Sequence, residues 1–173
     1  MSSLYESYNY DASYRAVLSS NDVVKVFTEK DFIEVNSQIS FDIEDSNKTS
    51  FNYFASSIIS GIIHNLIFVS KKLNIKLEDI EGKIKIKLKN PLTVLAVKGY
   101  SEEAKIDSCD ITVYLFSDLE DDELIEFCKK SLNSCFIYNT LKDLMDNKIF
   151  IYRPKLLIEK LMILGLFLYI FQD

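Results

Sequence analysis

The chain has 173 residues and a mass of 20.0 kDa, the size of one globular domain with a substantial core. Hydrophobic residues make up 48% and charged residues 27%, which excludes an intrinsically disordered or collagen-like chain. The net charge is −6, and this negative field repels phosphate backbones, so we expect no nucleic-acid partner. We therefore expect a single domain spanning residues 1–173.

The predicted elements of the first half are three short strands and a long helix. Residues 14–19, 23–28 and 32–43 are β-like pieces separated by turn clusters, which predicts an antiparallel meander. Residues 54–73 are apolar on nearly every side, a pattern typical of a central buried helix. Small residues would let a second helix approach it closely: Ala55, Ser56, Ser57, Ser60 and Gly61.

The second half alternates strands and helices. The segment 82–89 reads GKIKIKLK, a half-buried strand whose lysine face solvates it and protects it from edge pairing. After an irregular excursion, residues 109–116 alternate as a second strand. Residues 117–120 match a capping box, which predicts a helix from about Asp118, and a last strand lies around residues 148–152. The order of elements indicates an α+β domain.

The three cysteines, Cys109, Cys128 and Cys135, form no C-x-x-C pair. This argues against a disulfide scaffold and against a zinc site, and it favours a reducing compartment. Buried free thiols are the simplest explanation for Cys109 and Cys128. The acidic cluster 120–123 is better explained by a helix N-terminus than by a metal, so we predict no metal and no cofactor.

The two termini differ in character. The first 15 residues have neither a positively charged start nor an apolar run, so we expect no secretory signal and a cytoplasmic location. The C-terminal tail, about residues 155–173, contains LMILGLFLYIF, which is shorter than the roughly 20 residues of a membrane span. A core or subunit-interface segment is favoured over a membrane-surface anchor, because no basic amphipathic face accompanies this run.

These features occur in an order that resembles the family of osmotically inducible protein C and organic hydroperoxide resistance proteins (OsmC/Ohr). In that family a buried helix is followed by an L-E-D-like segment and a strand, and a later helix leads into a Cys-Pro-x-His-x-Thr-Leu-like stretch. Here Leu77-Glu78-Asp79 precedes the lysine-rich strand, and Cys135 and Thr140-Leu141 occupy the matching places. The resemblance covers residues 49–141. It implies an OsmC-like α+β fold, with an antiparallel sheet, a long buried central helix and a second cysteine-bearing helix, in an intertwined homodimer.

The resemblance also implies roles for individual residues. Family members are thiol peroxidases in which a cysteine on the buried helix attacks the peroxide and a second cysteine closes a disulfide. Aligned through the L-E-D segment, the attacking cysteine corresponds to Gly61 and the second one to Cys135. Phe136 and Tyr138 replace the family's proline and histidine, and Arg15 is the candidate for its catalytic arginine.

This pattern favours a member that has lost peroxidase chemistry. Peroxide reduction requires a thiolate, which becomes sulfenic acid, and a nearby cation that lowers its pKa. Glycine has no nucleophile, so Cys135 would be catalytic only if activity remains. We assign to the pocket Gly61, Ser57, Ser60 and Tyr138.

Two further observations leave alternatives open. His64, the single histidine, lies one helical turn beyond Ser60. It is either a general base facing the pocket or a hydrogen-bonded helix residue near an interface, and the second is favoured because no partner nucleophile is evident. Cys128 and Cys135 would lie roughly 10 Å apart on one intact helix, too far apart to bridge.

Three functions are compatible with these residues. The favoured one is a homodimeric OsmC-family protein, degenerate as a thiol peroxidase, that binds a small apolar ligand. The alternative is an active organic hydroperoxide reductase that uses the Cys135 thiolate. The third is an interaction protein that docks through its apolar tail. The expected partners are a second copy of the chain and a small apolar ligand or organic peroxide, with membrane contact not expected.

Overall fold

The computed structural model describes residues 12–19, 23–40, 48–143, 146–153 and 166–168. The chain divides into two compact units, residues 1–53 and 54–173. The first unit contains an antiparallel sheet of β1 (Arg15–Leu18), β2 (Val24–Phe27) and β3 (Phe32–Val35), in that order. The predicted meander is confirmed, although β3 ends at Val35 and residues 41–43 lie outside the described residues.

Helix α1 (Ser50–Leu73) begins four residues earlier than the hydrophobic pattern predicts. Thr49 is 2% exposed, and its hydroxyl accepts a hydrogen bond from the backbone N–H of Asn52 at 3.1 Å. A hydroxyl in this position satisfies one of the unpaired N–H groups of the first turn, so it stabilises the earlier start. The Tyr53 hydroxyl donates to the backbone oxygen of Glu34 at 3.0 Å, which ties this turn to β3.

The second unit is built around a four-stranded sheet. Its order is β4 (Leu77–Lys89), β5 (Lys105–Ser117), β6 (Asp146–Arg153) and β7 (Leu166–Leu168). The sheet is mixed, because β5 and β6 run parallel while the other two pairs are antiparallel. The predicted strands in this half are confirmed. Strand β7 comes from the apolar tail, and the other residues of that tail lie outside the described residues.

Three helices complete the second unit: α2 (Pro91–Val94), α3 (Asp121–Asn133) and α4 (Phe136–Leu141). The capping box predicted at residues 117–120 is wrong by three positions. The N-cap is Glu120, whose backbone N–H donates to the Glu123 carboxylate at 3.2 Å. Several positions in this run of acidic residues could begin a helix. The observed start places three carboxylates in the first turn of α3, where they interact favourably with the helix dipole.

Cys128 and Cys135 do not lie on one continuous helix, contrary to the sequence prediction. Helix α3 ends at Asn133, and Cys135 is the N-cap of α4 with extended backbone angles. The Asn139 side-chain amide donates to the backbone oxygens of Leu132 and Asn133 at 3.3 and 2.8 Å, which satisfies carbonyls at the end of α3. All three cysteines are free and buried.

The core of the second unit is one cluster of buried side chains from α1, α3, β5, β6 and the start of α4. It comprises Ile58, Ile62, Leu66, Val69, Cys109, Ile111, Val113, Leu115, Leu124, Phe127, Cys128, Leu132, Cys135, Ile149 and Ile151. Of the described helices, only α1 has the length and apolarity of a membrane span, and one face of it lies in this core. A Cβ added at Gly82 would lie 2.6 Å from Ile59 and 2.7 Å from Ile63, so glycine lets α1 approach β4 closely.

Burial makes two of the cysteines poor nucleophiles. It raises the pKa of the Cys128 thiol from 9.0 to about 12, and it raises the pKa of Cys109, with a further contribution from the neighbouring Asp110 carboxylate. Because the thiolate is the reactive form, both side chains act as small core residues.

We predict that Cys128 weakens the fold at alkaline pH. Since its pKa is higher in the folded chain, the stability it contributes is complete below pH 9.0 and is lost as the pH rises toward about 12. Between these two pH values, the free energy of unfolding measured with urea should fall less steeply with pH for Cys128→Ala than for the parent. The difference in slope should be up to about 1.4 kcal/mol per pH unit. Parallel curves for the two proteins would contradict this prediction.

Candidate functional site

A pocket of about 400 Å³ lies between the middle of α1 and the start of α4. Its volume falls within the range of small-molecule sites. Most of its wall is apolar, and no group of three or more metal-ligating side chains occurs in the described part of the chain. The pocket is lined by Ser57, Ser60, Gly61, His64, Asn65, Cys135, Phe136 and Ile137.

Gly61 and Ile137 meet in the lining of this pocket. A Cβ built on Gly61 would overlap the Cδ1 atom of Ile137, and the Cγ1 atom of Ile137 lies 3.5 Å from the same point. The side chain of Ile137 therefore occupies the volume in which any residue larger than glycine would place its first side-chain atom. No thiol exists at this point of α1, and a larger residue would require the end of the Ile137 side chain to move.

Asn65 joins α1 to the end of α3. Its side-chain amide donates to the backbone oxygen of Ser131 at 2.6 Å, and its oxygen accepts from the Ser134 hydroxyl at 3.4 Å. Ser134 also donates to the Ser131 oxygen at 2.8 Å. These bonds hold the α3–α4 corner against α1, so Asn65 positions Cys135 and Ile137 on the pocket wall.

Cys135 is 2% exposed although it contributes to the pocket lining. Its backbone N–H donates to the Leu132 oxygen at 3.0 Å, and its own oxygen accepts from the Asn139 N–H at 2.9 Å. Both backbone groups are therefore fixed at the helix corner. The thiol belongs to the core cluster and presents little surface to a ligand.

Besides Asn65, the α1 side of the pocket carries three polar side chains, Ser57, Ser60 and His64, all exposed. The hydroxyls of Ser57 and Ser60 donate to the helix carbonyls of Phe54 and Ser56 at 2.8 and 2.7 Å. Their protons are thus used within the helix, which leaves weakly polar groups facing the pocket. Among the described residues the His64 imidazole has no hydrogen-bond partner. It is therefore available to form a hydrogen bond with a ligand that enters the pocket.

The other two residues selected from the sequence lie in different surroundings. Arg15 belongs to the first unit, where its guanidinium carbon lies 4.7 Å from the centre of the Phe27 ring. Tyr138 packs against the core of the second unit, and burial raises the pKa of its hydroxyl, with a smaller contribution from the Asp143 carboxylate.

Sequence reasoning did not select Asn65, Phe136 or Ile137 for the pocket. Asn65 carried a usable signal, because an amide in the middle of an apolar helix needs a partner when it is packed. Phe136 and Ile137 carried none, since their role depends on the break between α3 and α4, which the apolar pattern does not reveal.

Comparisons with known proteins agree with this architecture. No curated protein matches the chain in sequence. A solved structure of an OsmC-like protein from Mycoplasma pneumoniae is 12% identical, with a TM-score of 0.64 over 83% of this chain and 98% of that one. An organic hydroperoxide resistance protein OsmC from Legionella pneumophila is 14% identical, with a TM-score of 0.60 over 82% and 96%. The organic hydroperoxide resistance protein OhrB of Bacillus subtilis is 15% identical, with a TM-score of 0.54 over 82% and 98%.

Identities this low establish a common fold and nothing about substrates. The family model described as OsmC-like protein matches residues 43–148, which is more than half of the chain. That segment includes α1, the β4–β5 pair, α3 and α4, and hence every residue that lines the pocket. The chain therefore belongs to the OsmC-like protein family.

Proposed function

We propose that this protein is an OsmC-family member that has lost thiol peroxidase chemistry and binds a small apolar ligand in the pocket between α1 and α4. The observation that carries the proposal is the contact between Gly61 and Ile137. Gly61 aligns with the attacking cysteine of the family, and Ile137 fills the space that such a side chain would need. Peroxide reduction then lacks the thiolate of its first step.

The cysteines that remain support this loss. Burial raises the pKa of Cys109 and Cys128, which keeps both thiols protonated near neutral pH. Cys135 alone lines the pocket, and it is almost fully buried. In the family, the second cysteine forms a disulfide with the sulfenic acid of the attacking cysteine. Because residue 61 is glycine, no sulfenic acid forms there for Cys135 to react with.

The walls of the pocket indicate the ligand class. Phe136, Ile137 and the glycine face of α1 are apolar, and the two serine hydroxyls are already engaged by the helix backbone. An apolar molecule would gain from leaving water there, whereas a charged one would find only His64 and the Asn65 amide near it. A ligand with an apolar body and one hydrogen-bonding group fits best.

The exposed apolar surface favours assembly with a second copy of the chain. Phe68 on α1 is 67% exposed and Phe136 beside the pocket is 78% exposed. A second subunit packed on this face of α1 would cover both rings and complete the walls of the pocket. The proposed active form is therefore a homodimer.

The proposed loss of catalysis is tested with cumene hydroperoxide as substrate and dithiothreitol as reductant. We predict that consumption of the peroxide proceeds at the same rate with the parent protein, with Cys135→Ser and without protein. A rate that rises with the parent and disappears in Cys135→Ser, but not in Cys128→Ala, would establish the alternative function, an organic hydroperoxide reductase that uses Cys135.

The ligand site is tested with an anilinonaphthalene sulfonate dye, which fluoresces in apolar surroundings. We predict that Ser60→Phe, which fills the pocket, weakens dye binding at least tenfold. Ser56→Phe adds the same ring one position outside the lining and should leave binding within about twofold of the parent. Equal dye binding by the two variants would place the dye elsewhere and contradict the proposed pocket.

The steric basis of the proposal is tested by a double-mutant cycle. Alanine normally stabilises a helix interior by about 1 kcal/mol relative to glycine, but Gly61→Ala should bring no gain here because its Cβ meets Ile137. Ile137→Val removes the colliding Cδ1 atom, so in that background Gly61→Ala should stabilise by about 1 kcal/mol in urea unfolding. Ser60→Ala serves as the control, with equal effects in both backgrounds. If Gly61→Ala stabilised the parent and the Ile137→Val background equally, this result would contradict the steric contact between Gly61 and Ile137.

A further inference from the structure

The β4–β5 hairpin ends in an ordered tip, residues 90–100. Asn90 adopts a left-handed conformation with φ 54°, Pro91 starts α2, and the Asn90 side-chain amide donates to the Glu103 oxygen at 2.9 Å. Backbone hydrogen bonds continue through the turn, including one from the Val97 N–H to the Leu92 oxygen at 3.1 Å. The tip is thus a defined structure that fixes the directions of its side chains.

The tip directs large apolar side chains into solvent. Leu92, Leu95, Val97 and Tyr100 are 37%, 42%, 39% and 51% exposed. Four such residues within nine positions form a local apolar surface at the end of a long two-stranded projection. Ordinary exposed turns carry polar residues, so this composition indicates a binding surface.

Lysines outnumber acidic residues near this apolar tip, although Glu102 and Glu103 lie beside it. Residues 82–107 contain six lysines and three acidic residues, a net charge of +3, so the remainder of the chain carries −9. Lys89 and Lys105 are direct cross-strand partners, a like-charge pairing that costs stability. In the described part of the chain no carboxylate lies within ion-pair distance of either lysine. Such a pair is stabilised when an anion binds beside it.

We propose that the hairpin tip binds peripherally to the surface of an anionic lipid bilayer. A bilayer interface offers hydrocarbon for the aliphatic side chains, a polar boundary suited to Tyr100, and phosphate headgroups for the lysines behind the tip. Strand residues rise by about 3.3 Å each, so Lys87 and Lys89 lie within roughly 10 Å of the tip, at headgroup depth. Nucleic acid would engage the lysines but leave the aliphatic side chains in water.

The proposal is tested by co-sedimentation of the full chain with vesicles of phosphatidylcholine, with and without one quarter phosphatidylglycerol. We expect binding to the anionic vesicles only, weakened by added salt because screening reduces the attraction. Lys89→Gln/Lys105→Gln and Leu95→Ser/Val97→Ser should each weaken binding about tenfold or more. The matched controls Lys30→Gln and Leu18→Ser, exposed residues of the first unit, should bind like the parent.

Three outcomes would overturn the proposal. In the first, the parent sediments no more with anionic vesicles than with neutral ones, and in the second the hairpin and control variants bind equally well. In the third outcome, the Leu95→Ser/Val97→Ser variant changes the elution volume in size-exclusion chromatography and the parent does not bind vesicles. The tip would then be covered by a second copy of the chain. Circular dichroism of each variant identifies any that fail to fold.

Discussion

The pocket depends on one steric relationship, the fit of the Ile137 side chain against the missing side chain of Gly61. Protein interiors are packed closely enough that a single methyl group decides whether two helices can approach. Here the absence of a Cβ on α1 lets α4 come near, and the side chain of Ile137 then forms part of the pocket wall. The shape of the pocket and the absence of a side chain at position 61 thus belong to the same packing arrangement.

Two side-chain amides stabilise the close approach of α4 to α1. Asn65 on α1 binds the end of α3, and Asn139 on α4 binds the carbonyls of the same helix end. Each amide satisfies backbone groups that a broken helix leaves without partners, so the corner that carries Cys135 is both interrupted and fixed. Cys135, the candidate nucleophile of the sequence analysis, therefore forms part of the pocket wall. Its thiol is packed, and its backbone is held on both sides.

The sequence predicted the fold much better than it predicted the site. Alternating patterns located β4 and β5, and the long apolar run located α1, because burial of one face imposes a period that is visible in one dimension. The start of α1 was missed because it rests on one Thr49 hydroxyl, and the end of α3 was missed because Asn139 stabilises it from six residues away. Ile137 could not be assigned to the pocket, since only the three-dimensional approach of α4 to Gly61 gives it that role.

A larger residue at position 61 would require the side chain of Ile137 to move. A side chain there would need the volume that the Cδ1 atom of Ile137 now fills, so this side-chain end would have to rotate or residue 137 would have to be smaller. On its other side α1 also approaches a glycine, because Gly82 of β4 leaves room for Ile59 and Ile63. Helix α1 is therefore held between two glycine contacts, one to α4 and one to the sheet. A side chain added at either glycine would therefore have to displace the isoleucine atoms that now occupy its space.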